Sequence, residues 1–101
     1  MDESTFHQMA DQVLQHLADR IDDDLGDKLD VELHQGVLTI QDAAGRTYVI
    51  NKQAPNREIW VSSPVSGALH FRFQDGVWFS TRNAETHLLP MLAQEFSISL
   101  T

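Results

Sequence analysis

Cysteine is absent from the 101-residue sequence. Disulfide bonds, thiolate metal sites and a cysteine nucleophile are therefore excluded. No stretch approaches the run of about 18 apolar residues that a membrane-spanning helix needs, and we expect no membrane partner. Neither a secretory signal nor an arginine-rich transit segment precedes the first predicted helix, which favours a cytoplasmic protein, with a mature organellar form as the alternative. The length suits one modest core and predicts a single domain over residues 1–101.

Basic residues are scarce in the first third of the chain. Residues 1–32 hold ten acidic side chains against Arg20 and Lys28 alone, whereas the remaining residues hold five acids and five bases. The whole net charge of −8 therefore lies in the first third. A face of one sign repels nucleic acid and attracts cations or basic protein surfaces. We expect no nucleic-acid partner.

The N-terminal segment carries a helical pattern. Apolar residues recur at spacings of three and four from Phe6 to Ile21, which predicts a helix with one buried stripe. Asp2 or Ser4 can cap the N-terminus of this helix, and Gly26 stands where the chain leaves it.

Six aspartates occur between Asp19 and Asp30, around the predicted C-terminus of this helix. The helix dipole disfavours negative charge there by about 0.3–1 kcal/mol for each exposed residue. Mutual repulsion at helical spacing adds about 0.2–0.5 kcal/mol per pair. A charge cluster that opposes folding indicates a function for the charge.

After Lys28 the period of the apolar residues changes to two, in the segments VELH, VLTI, RTYVIN, EIWVS, ALHFRF and VWFS. Five or six short strands with tight turns, such as the one at Asp75–Gly76, predict an antiparallel meander. A second helix follows through AETHLLPMLAQEF, with Asn83 as its cap and Pro90 near its first turn. This order predicts an α+β fold with both helices on one face of the sheet.

The phase of the strands separates the two tryptophans. In EIWVS the period of two puts Ile59 and Val61 on the core face and Trp60 on the open face. An exposed tryptophan forgoes roughly 1.5–3 kcal/mol of burial and is favoured as an interface anchor. The alternative is that loop side chains cover Trp60. Trp78 is assigned to the core.

One central segment carries a family resemblance. NKQAPNREIWVSSPVSG, residues 51–67, resembles the signature of frataxins, and the likeness continues through GVLTI upstream and DGVW downstream. The N-terminal STFHQMADQVLQHLADRIDDD is similar to the acidic first helix of bacterial-type members. The resemblance implies the frataxin-like α-β sandwich, in which two helices pack on one face of an antiparallel sheet.

The resemblance also implies a function. It is that of a non-enzymatic, iron-binding regulator or iron donor in iron–sulfur cluster assembly, which binds the cysteine desulfurase and the scaffold protein. Iron, as Fe²⁺ or Fe³⁺, would bind weakly on an acidic ridge that comprises Glu3, His7, Asp19, Asp22, Asp23, Asp27 and Asp30. A predicted partner surface on the exposed sheet face would comprise Asn51, Gln53, Trp60 and Ser63. The chain would be a monomer without metal.

The residue types leave alternatives open. Carboxylate oxygens suit iron, manganese, magnesium or calcium, but an EF-hand with Gly26 at its central turn would require ligands at Ile21 and Leu25. A ferrous-iron oxidase that detoxifies iron is one alternative, although no nucleophile–base pair, phosphate-binding glycine loop or di-iron motif occurs. A metal-independent acidic interaction domain is the other.

Overall fold

The computed structural model describes all 101 residues. In chain order its elements are α1 (Glu3–Leu25), β1 (Asp30–His34), β2 (Val37–Gln41), β3 (Thr47–Gln53), a 3₁₀ turn (Ala54–Asn56), β4 (Glu58–Ser63), β5 (Gly67–Gln74), β6 (Val77–Ser80) and α2 (Leu88–Phe96). The predicted order of helix, sheet and helix is confirmed. Neither helix combines the length and apolar character that crossing a membrane requires.

The six strands form one antiparallel sheet in sequential order, from β1 at one edge to β6 at the other. Tight turns make this meander possible. At Gln35–Gly36 and at Asp75–Gly76 both residues have positive φ, as type I′ hairpin turns require, and glycine at the second position adopts that conformation without a steric cost. The predicted hairpin at Asp75–Gly76 is confirmed.

Both helices pack on one face of the sheet, so the predicted α-β sandwich is confirmed. Eighteen buried apolar residues form one continuous core between the layers, to which α1 contributes its stripe from Phe6 to Ile21. Trp78 is only 6% exposed, and its ring meets that of Phe6 edge-on at 6.2 Å between centroids. The assignment of Trp78 to the core is therefore correct.

The ends of α1 have different physical causes. Asp2 caps the N-terminus, because its Oδ1 accepts a hydrogen bond from the backbone N–H of Thr5 at 2.7 Å. That bond also lowers the pKa of Asp2. At the other end Gly26 has helical φ and ψ, so no left-handed conformation requires glycine there. A Cβ at this position would lie 2.4 Å from the carbonyl oxygen of Asp22, so Gly26 is needed for space.

The second helix begins later in the chain than a cap at Asn83 would require. Its N-cap is His87, which makes no side-chain capping bond. The prediction of an Asn83 cap is wrong, because Asn83 instead turns the preceding loop and its Oδ1 accepts the N–H of Glu85 at 3.1 Å. Pro90 falls in the first turn of α2 as predicted, where a missing N–H breaks no helical hydrogen bond.

Glu95 ties α2 to the sheet. Its Oε1 accepts hydrogen bonds from the hydroxyls of Tyr48 and Ser63, both at 2.7 Å, and its Oε2 accepts one from Ser66. Burial opposes ionisation of Glu95, but these bonds outweigh it and hold the pKa of the carboxyl below its ordinary value. Burial and the nearby Glu95 raise the pKa of Tyr48 to about 12.

Substituting Glu95 with Gln should therefore change how stability depends on pH. A lowered folded-state pKa contributes stability that is present above the unfolded pKa of about 4.5 and is lost as pH falls through the folded value. Urea unfolding between about pH 3 and pH 6 should show a flatter profile for Glu95→Gln, with about 1 kcal/mol lost near neutrality. The matched control is Glu85→Gln, whose exposed side chain makes no hydrogen bond. Equal profiles for wild type and Glu95→Gln would contradict this role.

Candidate functional site

The C-terminal end of α1 carries a group of acidic side chains without counterions. Five predicted aspartates are exposed there, none is within 4 Å of a basic nitrogen, and the last turn of the helix has no basic residue. We call this group the C-terminal acid cluster: Asp19, Asp22, Asp23, Asp27 and Asp30. Its charge remains uncompensated within the chain.

The two nearby basic residues do not neutralise the cluster. Arg20 pairs with Asp24 at 3.1 Å and also donates to the carbonyl oxygen of Ser99 at 3.3 Å. Lys28 is exposed and forms no ion pair. Asp24, which was not among the predicted ridge residues, is therefore the one aspartate at this helix end that has a basic partner, whereas Asp19 accepts only a neutral hydrogen bond from the side chain of Gln15 at 2.9 Å.

The N-terminal end of α1 is different, because a lysine from the sheet reaches it. The Nζ of Lys52 lies 2.7 Å from Oδ1 of Asp11 and 3.2 Å from Nδ1 of His7. His7 Nε2 lies 3.7 Å from the Oε1 of Glu3. Gly36 leaves room for the lysine, since a Cβ there would lie 2.6 Å from its Cε. The ammonium group of Lys52 thus already lies beside His7, where a metal ion would otherwise bind.

Sequence reasoning missed Lys52, although the signal was present. The period of two in β3 puts Lys52 on the same face as Tyr48 and Ile50, which is the face that meets the helices. A lysine on that face must extend to the rim of the helix layer to find a partner.

The predicted acidic ridge therefore consists of two separate parts. Glu3 and Asp22 stand on the same helix, about 28 Å apart along its axis at 1.5 Å per residue. No group of three or more His, Asp or Glu side chains converges closely enough to hold a metal ion. A cation at this surface would keep much of its water shell, which corresponds to weak binding.

Trp60 lies on the face of the sheet away from the helices, as its phase predicts, and is half-buried. Its ring stacks on that of His70, with centroids 4.3 Å apart and planes 9° from parallel. Its Nε1–H donates to Oε1 of Glu58 at 2.8 Å. Side chains of the same sheet face cover part of Trp60. Trp60 is therefore neither fully exposed nor covered by loop side chains.

The other predicted partner residues divide between the two faces. Asn51 pairs with Trp60 across the strands, and Gln53 pairs with Glu58, so both lie on the open face and are half-buried. Placing Ser63 there is wrong, because Ser63 is an odd number of residues from Trp60 and so faces the helices. It is buried, and its Oγ accepts the N–H groups of Val65 and Ser66.

The whole chain, residues 1–101, matches the model of the Frataxin-like domain. The chain belongs to the frataxin family. It is 43% identical over 94 residues to the mitochondrial frataxin homologue of Saccharomyces cerevisiae and 42% identical over 98 residues to that of Schizosaccharomyces pombe. These matches cover 89% and 91% of this chain but only 53% and 61% of the two relatives, so the chain spans less than two thirds of their length.

Solved frataxin structures share the fold. The frataxin of Psychromonas ingrahamii, from the CyaY family, has a TM-score of 0.86 at 25% identity, with 100% of this chain and 99% of that chain covered. Trimeric frataxin of S. cerevisiae with its full-length N-terminus has a TM-score of 0.78 at 43% identity, with 90% and 78% covered. A trimeric form complexed with ferrous iron has a TM-score of 0.76 at 41% identity, with 96% and 84% covered.

Family membership confirms part of the functional prediction and corrects another part. Frataxins are linked to iron–sulfur cluster assembly and iron handling, and they interact with the assembly machinery. The prediction of a cytoplasmic protein is wrong, because both curated relatives are mitochondrial homologues. Lack of cysteine and an acidic surface suit either compartment, so the composition carried no physical signal that separates the two.

Proposed function

We propose that this frataxin is a mitochondrial, non-enzymatic regulator or iron donor of iron–sulfur cluster assembly that binds a cysteine desulfurase and its scaffold protein. The observation that carries the proposal is the C-terminal acid cluster, whose five carboxylates have no counterion in the chain. The chain does supply counterions to two other acids of α1, Asp11 and Asp24. The cluster is thus left available for a cation or a basic partner.

Iron is the cation that this proposal assigns to the cluster, as cargo at the surface. Carboxylates are hard oxygen ligands that suit Fe²⁺ and Fe³⁺. Because the side chains do not converge on one point, few of them can bind one ion, and water completes its coordination. Binding is therefore weak and reversible, as release to an assembly site requires.

The desulfurase and the scaffold use different parts of the surface in this proposal. The acid cluster attracts a basic patch of the desulfurase through its long-range field, so association weakens as salt rises. Asn51, Gln53 and Trp60 contact the scaffold from the open face of the sheet. Since helices cover only the other face, the two partners can bind together.

Titrating ferrous iron under anaerobic conditions into the ¹⁵N-labelled protein tests the iron site. Backbone resonances around the C-terminal acid cluster should broaden first, whereas those around His7 should not, because Lys52 already occupies that position. In Lys52→Met the resonances of His7 and Asp11 should broaden as well. Asp75→Asn, at an exposed hairpin position, is the control that should leave the pattern unchanged.

Two results would count against this iron site. Broadening that begins at His7 in the wild-type protein would contradict the role of Lys52. No broadening near the cluster would favour a metal-independent interaction domain. Repeated oxygen consumption with excess ferrous iron would instead indicate an iron oxidase.

A cluster-assembly assay with purified desulfurase and scaffold, in which this frataxin is titrated, gives its apparent affinity for the complex and tests the partner surface. Trp60→Ala should weaken the affinity of this frataxin for the complex by about 30-fold or more, which is the loss expected of a buried aromatic anchor. Val77→Ala, on the same sheet face at the β6 edge, should behave like wild type. An unchanged affinity for Trp60→Ala would remove the open face from the proposal.

A further inference from the structure

Glu58 is a buried carboxylate on the open face of the sheet. It is only 5% exposed, although no helix covers that face. Burying an ionised carboxylate is costly unless both oxygens are hydrogen-bonded. Here Oε1 accepts the Nε1–H of Trp60 at 2.8 Å, and Oε2 accepts the Nε–H of Arg72, its cross-strand neighbour, at 2.9 Å. Each carboxylate oxygen of Glu58 therefore accepts a hydrogen bond from another residue of the sheet.

These contacts hold the indole of Trp60 from two sides. Glu58 fixes the edge that carries the N–H group, and the imidazole of His70 stacks against one ring face. His70 Nδ1 also lies 3.8 Å from Oε1 of Glu58. The N–H group and one ring face of Trp60 are thus occupied, whereas no ring stacks on the opposite face, which lies on the side of its cross-strand neighbour Asn51.

We propose that Glu58 is a positioning residue, which holds Trp60 in the rotamer that contacts the scaffold protein. The surface that Trp60 then presents is an apolar ring face, and the group it receives is an apolar side chain of the partner. This inference rests on the proposed use of the open face. Fixing a side chain before binding removes the entropy cost of ordering it in the complex.

Arg72 supplies the matched control. Arg72→Met removes the ion pair of Glu58 but leaves the acceptor of the indole N–H in place, whereas Glu58→Leu removes both. Glu58→Gln keeps a carbonyl oxygen for the indole and abolishes the charge. Arg72 is mostly exposed, so leaving it without a partner in Glu58→Leu does not bury a charge.

The experiment combines indole N–H exchange by NMR with affinity for the desulfurase–scaffold complex. The chain has two indoles, and Trp60→Phe assigns their signals. Glu58→Leu should accelerate exchange of the Trp60 N–H at least about 10-fold and weaken binding about 3- to 10-fold. Glu58→Gln should stay near wild type in both. Arg72→Met should also stay near wild type in both, because the indole acceptor remains, although loss of the hydrogen bond to Oε2 lowers the overall stability. In a Trp60→Ala background, Glu58→Leu should have no further effect on affinity.

The outcomes separate this inference from the proposed function. If Trp60→Ala leaves affinity unchanged, the proposal that the scaffold protein binds the open face of the sheet is wrong. If Trp60→Ala weakens binding but Glu58→Leu does not, the positioning role is overturned and the partner surface stands. Should Glu58→Leu fail to fold, Glu58→Gln decides: a loss of affinity as large as that of Trp60→Ala would overturn the role of the N–H acceptor.

Discussion

Negative charge at the C-terminal end of α1 is the main constraint on the stability and the surface of this protein. The negative end of the helix dipole lies there, and the chain adds aspartates to it without a basic residue in the last turn. Two side-chain pairs at i,i+4 spacing, Gln15 with Asp19 and Arg20 with Asp24, are the only local side-chain contacts that favour this end of the helix. Its stability must come from elsewhere, chiefly from the apolar stripe that α1 buries against the sheet.

Counterions are distributed unevenly along α1. Lys52 extends from β3 to Asp11, and Arg20 reaches Asp24, so the fold can bring basic groups to α1 where they are present. The five carboxylates of the C-terminal acid cluster receive none. Functional surfaces often retain interactions that are unfavourable for folding because a ligand or partner relieves them. In the proposed function the acid cluster is such a surface, and iron or a basic partner relieves its repulsion.

Local periodicity was enough to predict the architecture and the faces of most residues. The apolar stripe of α1, the alternation of the strands and the opposite environments of Trp60 and Trp78 follow from spacing alone. Ser63 was misplaced because it was carried over with a motif, whereas the alternation of β4 puts it opposite to Trp60. Strand phase is therefore the safer guide to which residues share a surface.

Contacts between distant segments could not be predicted in the same way. The pairing of Lys52 with α1 depends on how the helix docks on the sheet. The approach of Arg72 and His70 to Glu58 depends on which residues of β4 and β5 face each other, whereas the alternation within one strand gives only the face on which each residue lies. The prediction of Asn83 as a helix cap was wrong for a related reason, because its side chain accepts a hydrogen bond within the turn that precedes the helix. The compartment left no trace in composition at all. Iron and partner roles rest on chemistry and on family membership.

The salt dependence of thermal unfolding measures the repulsion within the C-terminal acid cluster directly. If repulsion within the C-terminal acid cluster opposes folding, added salt should raise the Tm of the wild-type protein through screening. Replacing Asp19, Asp22 and Asp23 with Asn should raise the Tm at low salt by about 4–8 °C, which corresponds to about 1 kcal/mol, and should reduce its response to salt. Asp75→Asn should resemble wild type. A lower Tm for the triple variant, or a wild-type Tm that does not change with salt, would show that the cluster does not oppose folding.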